Sequence, residues 1–206
     1  SYEPTELVVT ARTGTPLVEL EQVLAESRQM LPFEPPAFGA GATIGGTIAC
    51  GFSGPARPYR GAVRDFILGV SCVSGRGEYL RFGGQVIKNV AGYDVSRLMV
   101  GAMGTLGVMT EVSLKVLPLP VIERTLVFDC SGNDALVKMS DLGGRPLPVS
   151  GTAWHGGRLR VRLSGSEMAV ESAALSLGGD LDIAGASFWQ ALKEHRLDFF
   201  GGSDPL

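Results

Sequence analysis

The chain has 206 residues, with 18 basic and 21 acidic side chains and a formal net charge of −3. This balance offers no basic face for nucleic acid, and an odd number of cysteines without a CxxC spacing argues against a disulfide framework or a metal site, which favours a reducing cytoplasm. The most apolar stretch, residues 98–117, contains Glu111 and Lys115 and is therefore not expected to span a membrane, and the opening residues do not have the pattern of a signal peptide.

The first elements are predicted to be a strand and a helix. Residues 6–12 predict a strand that ends before Gly14. Thr15 is expected to cap the following helix and Pro16 to be its first residue. Leucines recur at helical spacing after Pro16, which predicts an amphipathic helix over residues 16–29.

A run of glycines follows, in the stretch GATIGGTIACGFSG that begins at Gly41. Gly45 and Gly46 lie inside an apolar segment, where each costs about 0.5–1 kcal/mol relative to alanine. The Rossmann fingerprint is a poor fit, because the third glycine comes one position late and no strand precedes the motif. A P-loop is excluded because no lysine follows at the required spacing. Two interpretations stay open: tight packing between elements, and close approach of the backbone to a large flat cofactor.

The next segment is predicted to be mostly strand. DFILGVSCV and EYLRF form a β-hairpin around the turn SGRG. Asp94 is placed to cap a short helix, VSRLMVGA. Alternating residues over 108–117 predict a strand that ends at Pro118 and Pro120, where we expect the domain boundary.

The second half of the chain has a different pattern of predicted strands and helices. Its strands and helices follow the order β-α-β-β-α, which is most of a ferredoxin-like unit, with Ser166 as a helix cap and a last helix in FWQALKEH. The fold class is therefore α+β, with two domains over about 1–117 and 118–206.

Several motifs occur in the same order as in a known family. TIGG, RDFILG, KNVAGYD and GTLGVMTE all lie between residues 38 and 117. Together they resemble the FAD-binding domain of the flavoproteins typified by vanillyl-alcohol oxidase and p-cresol methylhydroxylase. Over nearly the whole chain, stretches such as GPARPYRGAVRDFILG and FWQALKEHRLDFF resemble the FAD-binding E subunits of bacterial glycolate oxidases.

The resemblance implies a p-cresol methylhydroxylase-type FAD-binding domain followed by a small cap domain. FAD would be held without a covalent bond, largely by backbone groups. Amide N–H groups in the glycine segment would face the pyrophosphate and ribityl chain, since glycine leaves them uncovered. Ser53 and Gly54 would approach the isoalloxazine or ribityl group, Lys88 and Gly92 the far side, and Gly107 and Val108 the adenine. The implied cofactor-binding residues are Ala42, Thr43, Ile44, Gly45, Gly46, Thr47, Ser53, Gly54, Lys88, Gly92, Gly107 and Val108.

Other candidate residues have simpler interpretations. Lys88 is as well explained as a solvated loop lysine, Tyr93 as a core ring and Asp94 as a helix cap. Cys50 is expected to be a small buried side chain rather than a point of flavin attachment. His155 and His195 have no partner evident in sequence, and no residue stands out as a catalytic base. A cluster of Arg57, Arg60 and Arg64 is expected to be a solvated loop.

The chain departs from the family in one respect. Family members carry an upstream glycine-rich loop that grips the pyrophosphate, and this chain begins after the matching position and ends before its relatives do. We therefore expect a truncated FAD-binding domain that alone binds FAD weakly or not at all.

Within this resemblance, the expected activity is oxidation of glycolate to glyoxylate in a hetero-oligomer. The resemblance implies a paralogous flavin subunit and an iron–sulfur subunit as partners. This chain has no cluster-binding cysteine spacing, so electrons would have to leave through a partner. The location would be cytoplasmic, or at a membrane through a partner. Two alternatives are a non-catalytic assembly subunit with a flavoprotein fold, and another FAD-linked oxidoreductase acting on a 2-hydroxy acid such as lactate, or on a sugar lactone.

Overall fold

The computed structural model describes residues 1–84 and 93–201 of the chain. The chain divides into two units. The first comprises Ser1–Gly54 and Gly61–Leu119, and the second comprises Pro55–Arg60 and Pro120–Leu206. Among the described residues, no helix has both the length and the apolar character needed to cross a bilayer.

The first unit contains a five-stranded antiparallel sheet with the order β1-β2-β6-β4-β5. Two further short strands, β3 and β7, pair with each other beside it. The strands are β1 (Tyr2–Glu3), β2 (Val8–Arg12), β3 (Gln29–Met30), β4 (Ile67–Val73), β5 (Tyr79–Gly83), β6 (Val108–Lys115) and β7 (Leu117–Pro118). The predicted hairpin and the strand after Gly107 are thus confirmed.

Three helices contribute to the core against one face of this sheet: α1 (Leu17–Glu26), α2 (Ile44–Cys50) and α4 (Val95–Met99). Leu17, Leu24 and Ile48 are almost fully buried with strand residues such as Val112 and Leu114. The opposite face carries polar side chains, as is usual for an antiparallel sheet with one covered face.

Helix α1 is shorter than its periodicity predicts. It starts at Leu17, with Pro16 as the N-cap residue and no capping side chain, so the expected cap at Thr15 is wrong. The amide of Leu17 instead donates to the carbonyl of Ala42 at 2.8 Å. The helix ends at Glu26 because Arg28 has a positive φ of 54°, outside the helical region.

The TIGG motif is helical rather than a turn. Thr43 has an extended backbone and its side chain accepts a hydrogen bond from the amide of Gly46, so α2 begins at Ile44. Gly51, with a φ of 71°, ends the helix in the left-handed conformation that favours glycine. The Asp94 cap is confirmed, because its carboxylate accepts from the Arg97 amide at 3.1 Å.

The second unit has a four-stranded antiparallel sheet with the order β11-β8-β10-β9. With α5 and α6 this gives the β-α-β-β-α-β order of a ferredoxin-like fold, which confirms the predicted fold class and adds a final strand to it. The elements are β8 (Ile122–Asp129), α5 (Gly132–Gly143), β9 (Val149–His155), β10 (Arg158–Gly165), α6 (Glu167–Leu177) and β11 (Asp180–Leu181).

Helices α5 and α6 share an apolar core with Leu159, Val161 and Leu163 of β10. The alternate residues Arg160 and Arg162 point to the other face of the sheet. There α7 (Gly185–Lys193) places the Phe188 and Trp189 rings beside the two guanidinium groups.

The segment Pro55–Arg60 belongs to this second unit and forms the short helix α3 (Arg57–Arg60). Tyr59 shares a 3.0 Å hydrogen bond with Thr152, and Arg60 donates to the Ser164 hydroxyl at 2.8 Å. Arg60 is therefore anchored, which corrects the expectation for that residue, whereas Arg57 and Arg64 are exposed as expected. A last short helix, α8, spans Asp198–Gly201.

Candidate functional site

The N-terminus of α2 is joined to the loop that leaves β2. Thr43 forms a bridge with Pro16. The amide of Ile44 donates to the Thr15 carbonyl at 3.0 Å, and that of Gly45 donates to the Thr13 carbonyl at 2.9 Å. The start of this helix is therefore held rigidly against the end of a core strand.

Gly45 and Gly46 meet different surroundings. A Cβ on Gly45 would lie 2.5 Å from the Cβ of Thr13 and 2.7 Å from its carbonyl oxygen, so no side chain fits there. A Cβ on Gly46 would meet only the Thr43 hydroxyl, at 3.4 Å. Close packing explains Gly45, whereas at Gly46 the backbone is left open with no comparable packing reason.

The amides of this segment are used inside the protein. Gly46 N–H donates to the Thr43 hydroxyl at 3.1 Å, and Thr47 N–H donates to the Thr43 carbonyl at 3.0 Å. Since Ile44 and Gly45 also donate internally, a ligand at this surface would meet the Cα of Gly46 and the Thr43 side chain rather than a row of uncommitted amides.

A groove of about 230 Å³ lies on one side of this helix start, and we call it the aromatic groove. Phe38 and Phe52 form an edge-to-face pair on its wall, with ring centroids 5.4 Å apart. Phe38 has a φ of 51°, an uncommon and strained conformation for a bulky residue. Such strain is often found at ligand sites.

A second groove, of about 330 Å³, lies on the other side, and we call it the glycine groove. Gly14 and Gly104 line it, and a Cβ on either would meet no atom within 4 Å. Val108, which also lines it, is 67% exposed. The groove therefore combines bare main chain with an uncovered apolar side chain.

Thr43 and Gly46 line both grooves, which makes the helix start the point where they meet. The structure thus brings most of the sequence-derived cofactor residues to one surface. The aromatic groove includes Ala42 and Thr47, and the glycine groove includes Gly45, Gly107 and Val108.

The loop after α4 contributes Gly104 to the lining of the glycine groove and is hydrogen-bonded to α2. Gly101 N–H donates to the Ile48 carbonyl at 3.0 Å, and Met103 N–H donates to the Ala49 carbonyl at 2.9 Å. Met103 has a φ of 50° and is 74% exposed, so the loop holds a strained backbone and an uncovered apolar side chain near the groove.

Other predicted residues lie elsewhere. Ile44 is fully buried in the core. The Ser53 hydroxyl accepts from the Val63 amide at 3.0 Å, and a Cβ on Gly54 would overlap the Glu34 carbonyl oxygen. Ser53 and Gly54 thus have structural roles and line neither groove.

Gly107 also has a packing reason, because a Cβ there would lie 2.8 Å from the Val73 carbonyl oxygen. Lys88 and Gly92 lie outside the described residues.

Two expectations are wrong. Cys50 is exposed, at the last position of α2, and lines the aromatic groove instead of being buried. Tyr93 is 95% exposed and is not a core ring. His155 lies near the Phe188 ring, and His195 stacks on Phe200 with centroids 4.3 Å apart.

The grooves also contain residues that sequence reasoning missed, namely Phe38, Phe52, Gly14 and Gly104. Gly14 and Gly104 could have been suspected as glycines beside the motifs, whereas the meeting of Phe38 and Phe52 has no local signal. No carboxylate, histidine or lysine lines either groove in the described part of the chain.

The chain is similar to known proteins in sequence and in fold. Residues 1–83 match the sequence family described as an FAD binding domain. The chain is 52% identical over 200 residues to glycolate oxidase subunit GlcE of Escherichia coli K12, covering 97% of this chain and 57% of that protein. It is 36% identical over 120 residues to glycolate oxidase subunit GlcD of Bacillus subtilis, covering 58% of this chain and 26% of that protein.

A D-lactate dehydrogenase of Anaerostipes hadrus is 34% identical over 119 residues, covering 58% of this chain and 25% of its own length. Among solved structures, an alkyldihydroxyacetonephosphate synthase matches 97% of this chain and 44% of its own, with a TM-score of 0.68 and 19% identity, which concerns the fold alone. The resemblance inferred from the motifs is confirmed, and the chain spans just over half the length of GlcE, the relative to which it is 52% identical.

Proposed function

We propose that this chain, whose residues 1–83 carry an FAD binding domain, is the FAD-binding subunit of a complex that oxidises glycolate to glyoxylate. The support is the 52% identity to GlcE over 97% of the chain, together with two open grooves that meet at the start of α2. We further propose that residues 1–117 form the FAD-binding domain and residues 118–206 the cap domain.

The observation that carries the proposal is the open backbone of Gly46 where the two grooves meet. An elongated ligand lying along both grooves has to cross the N-terminal turn of α2, next to Thr43 and Gly46. Any side chain at position 46 would project into that path, because only the Thr43 hydroxyl is near. The residues present therefore fit a large, flat cofactor.

The two grooves suit the two ends of FAD differently. The Phe38–Phe52 pair offers aromatic edges and faces to a planar ring. Because this pair lines the aromatic groove, we propose that the isoalloxazine end lies on this side. Gly107 and Val108 lie in the glycine groove, where we propose that the adenine end rests on main chain and an apolar side chain.

When bound, FAD would supply the chemistry of accepting two electrons from the CH–OH carbon of a 2-hydroxy acid. This chain's own contribution would be binding and orientation. Its apolar groove walls would exclude water from the cofactor, and the rigid start of α2 would fix the cofactor's position. Because the described groove residues include no carboxylate, histidine or lysine, we propose that the group that moves the substrate proton comes from outside the two grooves.

The lack of a carboxylate, histidine or lysine among the described groove residues also supports an alternative, in which this chain is a non-catalytic assembly subunit. In either case we propose a hetero-oligomer in the cytoplasm, with a paralogous flavin subunit resembling GlcD and an iron–sulfur subunit as partners. Similarity of one chain to both GlcE and GlcD is what supports a paralogous pair.

The test is to co-express the chain with its partner subunits and to measure flavin per purified complex and glycolate oxidation with a dye acceptor. We expect Gly46→Val to remove one flavin equivalent from the complex and to reduce turnover. Loss of one flavin without any loss of turnover would favour the assembly role. An unchanged flavin content would contradict the cofactor site.

A further inference from the structure

The polar face of the five-stranded sheet contains a depression of about 270 Å³ that the proposed FAD site does not use. It is lined by Thr10, Ser71, Arg81, Glu111 and Ser113, together with main chain at three glycines. It shares no lining residue with the aromatic or the glycine groove. We call it the sheet pocket.

The strand register explains why the pocket exists. Thr10 pairs with Ser113, Ser113 with Gly69, and Gly69 with Gly83, so one row across four strands has only hydroxyl side chains or none. The next row pairs Glu111 with Ser71 and Ser71 with Arg81, and it supplies long side chains. The row from Thr10 to Gly83 forms the floor of the pocket, and the row with Glu111 and Arg81 forms a wall.

Main chain packs closely against Gly69 in the floor of the pocket. A Cβ on Gly69 would lie 2.9 Å from both the amide nitrogen and the carbonyl oxygen of Gly84, so no side chain fits there. Ser71 and Ser113 are only 5% and 8% exposed, which places their side chains low in the depression rather than on a flat solvated face.

The chemistry of the lining is balanced in charge. The Thr10 and Ser113 hydroxyl oxygens are 2.8 Å apart. The Arg81 guanidinium lies 3.7 Å from a Glu111 carboxylate oxygen, which is an ion pair but beyond hydrogen-bond distance. One cation, one anion and three hydroxyl groups thus offer both donors and acceptors without a net charge.

Such a lining disfavours ions and apolar ligands. An anion would face the Glu111 carboxylate, and a cation would face Arg81. A molecule with many hydroxyl groups can donate to the carboxylate and accept from the guanidinium together, which replaces the water held by each. The volume, about 270 Å³, is just below the roughly 300–1,000 Å³ that is usual for small-molecule sites.

We propose that the sheet pocket binds an uncharged polyhydroxylated molecule of monosaccharide size, with Arg81 and Glu111 as its charged anchors. This site is separate from the proposed function and does not depend on FAD.

The test is an NMR titration of the isotopically labelled chain with sorbitol as the probe. We expect saturable shifts of the Gly69, Gly83 and Gly84 amides, with no comparable change at Gly156 and Gly157 in the second unit. Saturation is decisive because polyols also act on every protein through general exclusion from its surface. Linear shifts spread over all of these glycines would overturn the proposal.

Two variants and a matched control sharpen the result. Arg81→Gln and Glu111→Gln should each weaken binding by about tenfold or more. Arg76→Gln, in the turn of the same hairpin and outside the pocket, should leave it unchanged. The spectra themselves report whether each variant is folded. Equal binding by Arg81→Gln, or saturable shifts with sodium glycolate but none with sorbitol, would refute a neutral polyol site.

Discussion

The absent side chain of Gly45 points directly at Thr13, whose Cβ would lie 2.5 Å from a Cβ built on the glycine. The next residue, Gly46, would have only one neighbour, the Thr43 hydroxyl at 3.4 Å. The two adjacent glycines of this motif are therefore glycines for different reasons. Packing against Thr13 requires a glycine at position 45, whereas the glycine at position 46 leaves a surface open.

Gly45→Ala should destabilise the first unit by about 1–3 kcal/mol, because the new methyl group overlaps the backbone and side chain of Thr13. Native-state hydrogen exchange of β2 and β6 amides measures this directly. Since both tryptophans, Trp154 and Trp189, lie in the second unit, their fluorescence should stay unchanged as an internal control.

Gly46→Ala is the matched variant, and it should stabilise the first unit instead of destabilising it. It sits in the first turn of α2, where alanine is favoured over glycine by about 0.5–1 kcal/mol. In the same experiment the β2 and β6 amides should therefore exchange more slowly than in the wild-type chain. Equal destabilisation by both alanines would mean that Gly46 is also packed.

Thr43→Ala should cost about 1 kcal/mol, because it removes the hydroxyl that caps α2 through the Gly46 amide. Thr43→Ser keeps the hydroxyl and should retain most of the stability. If serine is as harmful as alanine, the methyl group of Thr43 rather than its hydroxyl is what holds the helix start.

Tyr79 should show a pH response. Hydrogen bonding to Ser71, followed by that to Arg81, lowers the pKa of Tyr79 from its ordinary value of 10.0. The folded protein therefore releases this proton before the unfolded chain does, and stability rises with pH between the lowered pKa and the ordinary one. The contribution is lost as the pH falls through the lowered pKa.

The measurement is an NMR titration of the Tyr79 ring carbon in the wild-type chain and in Ser71→Ala. The variant should move the Tyr79 pKa back towards its ordinary value. An identical titration in the two proteins would show that Ser71 does not stabilise the tyrosinate.

In the second unit, Asp182→Ala should cost about 3–5 kcal/mol, because it leaves a mostly buried arginine without its partner. The Arg160 guanidinium contacts the Asp182 carboxylate at 2.7 Å, with side chains 15% and 13% exposed. Denaturant unfolding followed by tryptophan fluorescence reports on this unit.

Asp129→Ala is the control, because Asp129 pairs with Arg158 two residues earlier on β10. That pair is 58% and 84% exposed, so its loss should cost at most about 1 kcal/mol. A similar cost for both variants would show that burial does not set the strength of these pairs.

Much of the fold follows from periodicity and caps. The hairpin of β4 and β5, the caps at Asp94 and Ser166, and the ferredoxin-like order of the second unit follow from local patterns. The start of α1 at Leu17 does not, since it depends on a hydrogen bond to Ala42, which is distant in sequence.

The candidate site is harder to predict from the sequence than the fold. Glycine-rich motifs indicated the region of α2, but they could not separate Gly45 from Gly46, because the difference is the position of Thr13 in space. Phe38 and Phe52 meet through tertiary structure alone. Cys50 has the composition of a core residue, yet its place at the end of α2 exposes it.

The central claim is that the backbone of Gly46 is open in order to accommodate FAD. The most direct test measures FAD affinity and unfolding free energy of the wild type and Gly46→Val in the assembled complex. The account predicts a loss of flavin affinity of about tenfold or more with the stability of the first unit retained. Unchanged flavin affinity in a folded Gly46→Val complex would contradict it.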